Sequence, residues 1–230
     1  MTTPNAQYNL AAPDSVAVRI ATRMRMRMFD AFVQEFAPNP SETILDIGVT
    51  SDQSYTSSNY LEALYPHKDR ITAAGLDDAS FLEALYPGMT FRYANALDLP
   101  FASQSFDLVH SSAVLEHVGS LSNQTRMIRE CLRVARRGVC LTTPNRWFPI
   151  EFHTQFPLVH WLPKPLGRAI FRGMGQAFFA DEGNLNLMTK AELRAAMRAT
   201  NCKTYSFAPT RLWGWTSNLV LMIHKENDLP

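Results

Sequence analysis

Acidic side chains stand at the ends of two short apolar runs in the sequence. Asp46 and Gly48 close the first run, and Asp77 follows the run 71–76. If both runs are strands of one open α/β sheet, their carboxyl ends lie where such sheets bind ligands. A carboxylate there can hold an ammonium group or accept from both hydroxyls of a ribose, and a glycine lets the backbone approach the ligand. Asp77 or Asp78 could equally cap the following helix, but the strand before Asp77 favours ribose binding.

The elements that must position these residues alternate between strands and helices. Short apolar runs predict the strands, and segments with helical periodicity separate them. The predicted strands are 43–48, 71–76, 90–93, 106–111, 138–142, 203–208 and 217–225, with helices near 57–65, 79–86 and 121–136. A capping box at 189–192 predicts a further helix before the last two strands. This alternation predicts an α/β fold whose largely parallel, seven-stranded sheet has helices on both faces.

A helix is predicted at 14–36, ahead of the sheet, because apolar residues recur there at every fourth position. Arg19, Arg23 and Arg27 form a second row on this helix. Such a row is either a solvated face or a surface that meets an anion or a membrane.

Several pieces of the sequence resemble the class I S-adenosylmethionine (SAM)-dependent methyltransferases of the type 11 kind. A turn that begins at Asn95 leads into Leu-Pro-Phe, a Ser-Phe-Asp run starts the next strand, and Val114-Leu115-Glu116-His117 follows that strand. Together with Asp46 and Asp77, these pieces follow the order and spacing of the family over residues 40–145. A weaker similarity continues to 217–225.

The resemblance implies a single Rossmann-like methyltransferase domain with SAM as its cofactor. Its parts would be an N-terminal helix at 14–36, a SAM-binding core at 40–144, a cap at 145–188, and a closing helix with two strands at 189–230. The cap would be an aromatic- and proline-rich insertion after the fifth strand. Its prolines exclude one long helix, and its position predicts that it covers the acceptor site.

The resemblance also implies which residues bind SAM. They are Asp46 and Gly48 at its methionine part, Asp77 at the ribose, Asn95 and Ala96 at the adenine, and Ser111 near the methionine end. Asn95 replaces the usual aspartate, and its amide oxygen can still accept from the adenine amino group. The glycine-rich loop of the family is altered here, with Thr50 and Asp52 in place of glycines. Asp52 could repel the SAM carboxylate, whereas the Thr50 hydroxyl could donate to it.

Two histidines are the catalytic candidates. Methyl transfer from a sulfonium gains much of its rate from positioning, and a base is needed only for some acceptors, such as a hydroxyl. His117 belongs to the Val-Leu-x-His turn of the family, where it could instead be a structural histidine. His153 lies in the insertion after the fifth strand and is either an acceptor-side base or contact, or a core histidine.

Composition narrows the classes of partner. Lys and Arg number 22 against 21 Asp and Glu, so no bulk basic surface indicates nucleic acid. The three widely spaced cysteines indicate neither a metal site nor disulfides and suit a reducing cytoplasm, and the polar N-terminus does not read as a signal peptide. We therefore predict a cytoplasmic methyltransferase with a small-molecule or lipid-like acceptor. Two alternatives stay open: a ligand-binding protein of this fold that has lost transfer, and weak membrane-surface association through the aromatic and basic insertion.

Overall fold

The computed structural model describes residues 15–225 except 56, 152 and 155, and for residue 209 it describes the backbone only. Its strands are β1 (Ile44–Ile47), β2 (Ile71–Gly75), β3 (Thr90–Tyr93), β4 (Phe106–Ser112), β5 (Ala135–Pro144), β6 (Tyr205–Leu212) and β7 (Trp215–His224). Its helices are α1 (Val16–Phe36), α2 (Tyr60–Leu64), α3 (Phe81–Leu85), α4 (Leu121–Val134), α5 (Lys164–Gly173) and α6 (Lys190–Arg198).

All seven strands form one sheet in the order β3-β2-β1-β4-β5-β7-β6. The first five strands are parallel, and β7 runs antiparallel to both β5 and β6. The predicted sheet is therefore confirmed, although β5 and β6 extend further than the apolar runs indicate. The strand order changes direction between β1 and β4, which places a ligand crevice at their carboxyl ends.

Helices cover both faces of the sheet, as the alternating pattern predicts. On one face, α4 and α6 pack buried Met127, Ile128 and Met197 against the sheet. On the other face, Phe32 of α1 and Leu61 of α2 belong to a second buried cluster. Each face removes apolar surface from water, at about 25 cal/mol per Å², so the two clusters hold the strand ends in fixed positions.

Helix α1 begins at Val16, where the Ser15 hydroxyl accepts from the backbone N–H of Val18. Its four-residue apolar row is buried from Met24 to Phe36, which confirms the helical prediction. Arg19, Arg23 and Arg27 are exposed, as both a solvated face and a surface that meets an anion or a membrane require.

The 145–188 insertion returns to the sheet at both of its ends. The backbone N–H of Arg146 donates to the carbonyl of Met188, which closes the segment on itself. The N–H of Asn186 donates to the carbonyl of Glu116, in the 3₁₀ turn Leu115–His117 that follows β4. The insertion therefore packs beside the carboxyl end of β4, and its role as a cap stays a prediction.

Candidate active site

Gly48 lies at the carboxyl end of β1, in a conformation that favours glycine. Its φ is +91°, and a Cβ at this position would collide with the side chain of Val114. The N–H groups of Gly48 and Val49 both donate to the carbonyl of Ala74 in β2. The glycine therefore lets the loop after β1 and the loop after β4 approach each other closely.

Gly48→Ala should lower the free energy of unfolding by about 2–4 kcal/mol, from left-handed backbone strain and overlap with Val114. Gly214→Ala is the matched control, because Gly214 has φ +82° but open space around its Cβ position. We expect the control to lose only the backbone part, about 1–2 kcal/mol. Equal losses in chemical denaturation would contradict the contact with Val114.

Asp46 belongs to a buried polar network under the sheet end. A 2.6 Å hydrogen bond joins its Oδ1 to Nδ1 of His110 in β4, and His110 Nε2 lies 3.0 Å from the Tyr60 hydroxyl. Burial raises the pKa of Asp46 to about 7 and lowers that of His110 to about 4. Glu62 is also fully buried in this network, and burial raises its pKa. Binding of the SAM methionine by Asp46 stays a prediction, now with one carboxylate oxygen engaged by His110.

The altered loop after Gly48 is held against the start of α2. The N–H of Thr50 donates to Oδ1 of Asn59, and Asn59 Nδ2 donates to the Thr50 carbonyl. The Thr50 hydroxyl accepts from the N–H of Asp52. Asp52 is buried, and its Oδ1 accepts from the N–H of Ser54. These side-chain hydrogen bonds therefore hold the loop after β1 in place.

The residues predicted to hold the ribose and the adenine differ in how far the chain already uses their side chains. Asp77 lies beyond β2 and, within the described residues, makes no hydrogen bond or ion pair. Asp78 instead accepts from the N–H of Ser80 in the turn that leads into α3. Asp78 therefore makes the contact at the helix start that was the alternative role for Asp77. Ala96 is buried, while Asn95 is exposed and its side-chain oxygen accepts from the N–H of Leu97.

Asp77→Ala should weaken SAM binding by about 1.5–3 kcal/mol, the scale of a lost hydrogen bond to a charged group. Stability should stay nearly unchanged, because Asp78 supplies the turn contact. Asp78→Ala is the matched control and should lower stability by about 1 kcal/mol with SAM affinity intact. Calorimetry and thermal denaturation of both variants measure the two effects. A stability loss confined to Asp77→Ala would identify that residue as the cap.

Ser111 lies at the end of β4 as predicted, but its side chain is used within the sheet. It is buried, and its hydroxyl donates to the carbonyl of Ile47 at 2.8 Å. The next residue, Ser112, faces a cavity and hydrogen-bonds to the Thr142 hydroxyl at 2.9 Å. The cavity contact at this strand end is therefore Ser112, which the family resemblance does not indicate.

That cavity has a volume of about 120 Å³ and lies between α1 and the carboxyl ends of β4 and β5. Its apolar wall comes from α1, through Ala17, Val18, Ala21, Met24 and Met28. Its polar wall comes from Arg25, Tyr55, Ser112, Thr142, His153 and Asn218. The cavity therefore combines an apolar helix face with several polar side chains from other elements.

Arg25 is a site residue that sequence reasoning missed. Its guanidinium lines the cavity and donates to the Ser57 hydroxyl at 2.8 Å. Burial lowers its pKa, although a guanidinium stays charged. Arg25 lies beside the buried row that contains Met24 and Met28. Nothing in the sequence indicates that the cavity reaches past that row.

The two catalytic candidates meet beside the cavity. The rings of His117 and His153 stack edge to face, with centroids 4.9 Å apart. His153 Nδ1 lies 2.6 Å from Oε1 of Glu151, and His117 Nδ1 lies 2.6 Å from the carbonyl of Asn184. Buried Glu116 lies next to both rings. Only His153 lines the cavity, so catalytic roles for these residues stay predictions.

Burial and neighbouring charges shift the pKa values of the two histidines and the two glutamates of this cluster in different directions. Burial lowers the pKa of His117 to about 3 and raises that of Glu116 to about 7. Burial alone would lower the pKa of His153, but the Glu151 carboxylate raises it above the ordinary value. The same pairing with His153 lowers the pKa of Glu151 to about 2, against the effect of its burial.

Comparison with known proteins agrees with this geometry. Residues 56–142 match the model of a family described as a methyltransferase domain. An O-methyltransferase of Aspergillus sclerotiorum, resE, is 27% identical over 148 residues, which cover 60% of this chain and 55% of the relative. The chain thus spans about half the length of that relative.

Solved structures show the same fold. A SAM-dependent methyltransferase of Thermotoga maritima, described as a possible histamine N-methyltransferase, superposes with a TM-score of 0.57 at 16% identity, covering 92% of each chain. Magnesium protoporphyrin IX methyltransferase of Synechocystis, solved with bound S-adenosylhomocysteine, gives a TM-score of 0.56 at 15% identity. This second match covers 96% of the present chain and 91% of the other.

These matches confirm the predicted fold class and the resemblance to SAM-dependent methyltransferases. The match to a methyltransferase domain indicates SAM as the methyl donor, as predicted. In the described part of the chain, none of the helices is both long and apolar enough to span a bilayer.

Proposed function

Since residues 56–142 match the model of a methyltransferase domain, we propose that the protein transfers the SAM methyl group to an acidic hydroxyl of a small, mainly apolar molecule. The observation that carries this proposal is the cavity beside Ser112, whose apolar wall is broken by Arg25 and His153. The similarity to an O-methyltransferase supports an oxygen acceptor.

SAM supplies an electrophilic methyl group when bound. The residues of this chain would act by binding and orientation, which can provide much of the rate of a displacement between two bound reactants. Asp77, Asn95 and Ala96 would hold the nucleoside end of SAM. The apolar wall of α1 would enclose the acceptor and exclude water from the crevice.

Arg25 and His153 would act on the acceptor oxygen. A nearby guanidinium favours the anionic form of a hydroxyl and so makes it a better nucleophile. Transfer also requires that the hydroxyl lose its proton. His153, which lines the cavity, is the side chain that can take up this proton.

A transfer assay tests the proposal. The protein is incubated with methyl-labelled SAM and matched acceptors that carry a phenol, a carboxylic acid or an amine on the same ring. We expect label in a base-stable methyl ether of the phenol. Label that base releases as methanol would indicate a methyl ester of the carboxylic acid. Label in the amine alone would contradict the O-methyl proposal. Cofactor binding without transfer to any acceptor would favour a ligand-binding protein that has lost activity.

A lipid-like acceptor and contact with a membrane surface are less well supported. Leu158 and Leu166 in the insertion are exposed, but Lys164 pairs with Glu192 at 2.9 Å and Arg168 with Glu182 at 3.4 Å. These ion pairs leave fewer cations to meet anionic headgroups. Co-sedimentation with anionic vesicles tests this alternative, and we expect the protein to stay in the supernatant. A cytoplasmic location likewise remains a prediction from the cysteine pattern.

A further inference from the structure

The His117 ring is fixed in a way that suits a metal ligand. Its Nδ1 donates to the carbonyl of Asn184 at 2.6 Å, which directs Nε2 toward Glu116. The distance from Nε2 to Oε1 of Glu116 is 3.9 Å. Histidines that bind metals commonly donate their second ring nitrogen to a carbonyl or carboxylate, which fixes both the tautomer and the orientation of the ring.

His153 shows the same arrangement with a carboxylate. Its Nδ1 lies 2.6 Å from Oε1 of Glu151, so Nε2 is the ring nitrogen available to a ligand on the other side. Glu151 is fixed in turn, because the backbone N–H of His153 donates to Oε1 and that of Thr154 to Oε2. The insertion after β5 therefore presents an imidazole supported by a second layer of hydrogen bonds.

Glu116 provides an independent sign that this cluster binds a ligand. Its side chain is completely buried, and Oε2 accepts from the Thr143 hydroxyl at 2.8 Å. Within the described residues, Oε1 has no hydrogen-bond partner. A buried carboxylate oxygen without a partner is costly, and a bound cation would remove that cost.

We propose that Glu116, His117 and His153 bind one divalent transition-metal cation, at a site that opens into the acceptor cavity. Each offers one ligand atom, and these atoms lie within 4.8 Å of one another. Bonds of about 2.0–2.2 Å from a central ion need only small side-chain movements. Two imidazoles favour Zn²⁺ or a similar cation over Mg²⁺, which prefers oxygen ligands. The sequence-based expectation that the chain has no metal site concerned the cysteines, and these three residues include none.

Three protein ligands leave at least one coordination position for another molecule, as in catalytic zinc sites. Because His153 lines the cavity, an acceptor oxygen there could take that position. A bound cation lowers the pKa of a coordinated hydroxyl and stabilises its anionic form. In that case the hydroxyl proton passes to solvent, the oxygen takes the methyl group, S-adenosylhomocysteine leaves, and the three side chains bind the metal instead of the proton. This catalytic part rests on the proposed O-methyl transfer, whereas metal binding itself does not.

Metal binding is tested on the tag-free full chain by titrating chelator-treated protein with Zn²⁺ alone in a calorimeter, with Mg²⁺ as the comparison. We expect one Zn²⁺ per chain and much weaker binding of Mg²⁺. Glu116→Gln and His117→Gln should each weaken Zn²⁺ binding by more than about 100-fold. Thr143→Val, which removes only the contact to Oε2, should weaken it by about 10–100-fold.

His224→Gln is the matched control, because His224 pairs with Glu35 at 2.7 Å but belongs to no three-ligand group among the described residues. Its Zn²⁺ affinity should equal that of the parent protein. Far-UV circular dichroism checks that each variant is folded. If a ligand variant does not fold, Thr143→Val still tests the site, because it keeps all three ligands. No saturable Zn²⁺ binding by the parent, or equal losses in the control and ligand variants, would overturn the proposal.

The metal proposal and the proposed function can fail separately. Zn²⁺ binding without methyl transfer to any acceptor supports the metal site and contradicts the enzyme proposal. Methyl transfer by a chain that binds no Zn²⁺ overturns the metal site and leaves the enzyme proposal standing.

Discussion

His153→Ala should lower the rate of methyl transfer by about 10²–10⁴-fold, the contribution of a positioned group that acts on a reacting proton. SAM affinity should change little, because His153 lines the cavity beside β4 and β5, whereas Asp77 and Ala96 lie beyond β2 and β3. Steady-state kinetics with a saturating acceptor and SAM calorimetry on the same preparation separate the two effects.

His160→Ala is the matched control for this variant. His160 belongs to the same insertion and is buried, with Nε2 2.7 Å from the Phe148 carbonyl. Losing it should cost about 1–3 kcal/mol of stability, the scale of an unsatisfied buried group, with turnover per folded molecule unchanged. If His153→Ala behaves in the same way as the control, His153 is a core histidine and not an acceptor contact.

Asp46→Ala should lower the free energy of unfolding by about 1–3 kcal/mol, the cost of leaving a buried polar group without its hydrogen-bond partner. The change leaves the buried ring of His110 without its 2.6 Å contact, inside a network that also includes Tyr60. A loss of this size is a large part of a total stability of about 5–15 kcal/mol. Urea denaturation measures it.

Asp69→Ala is the surface control, because Asp69 pairs with Arg70 while its side chain is 62% exposed. That variant should lose no more than about 1 kcal/mol. If Asp46→Ala loses equally little while SAM affinity falls sharply, Asp46 acts on the cofactor and the network with His110 is incidental. If stability falls and SAM affinity per folded molecule is unchanged, the network is its main role.

The strands and long helices could be predicted because burial leaves a local record in the sequence. The run at β1 is apolar because both faces of a parallel strand are covered, and α1 repeats its apolar residues at helical spacing. The capping box at Thr189 and Glu192 is likewise local, and both of its hydrogen bonds are present. The hairpin around Gly214 follows from its turn residue, although β6 extends past the apolar segment.

The surroundings of the cavity could not be predicted in the same way, because contacts there join segments that are distant in the sequence. Glu116 and His153 are adjacent in space only because the insertion folds back beside the turn after β4. Arg25 reaches the cavity from a helix that precedes the sheet, and His110 meets Asp46 across neighbouring strands. The family motif placed His117 correctly in its turn but gave no information on the side chains around it.

The central claim is that this domain binds SAM at the carboxyl ends of β1 to β4, and calorimetric titration with S-adenosylhomocysteine tests it most directly. We expect one site with a dissociation constant in the micromolar range. A hundredfold excess of ligand over that constant should raise the free energy of unfolding by about 2.7 kcal/mol. Absence of both binding heat and a thermal shift at millimolar ligand would contradict the claim.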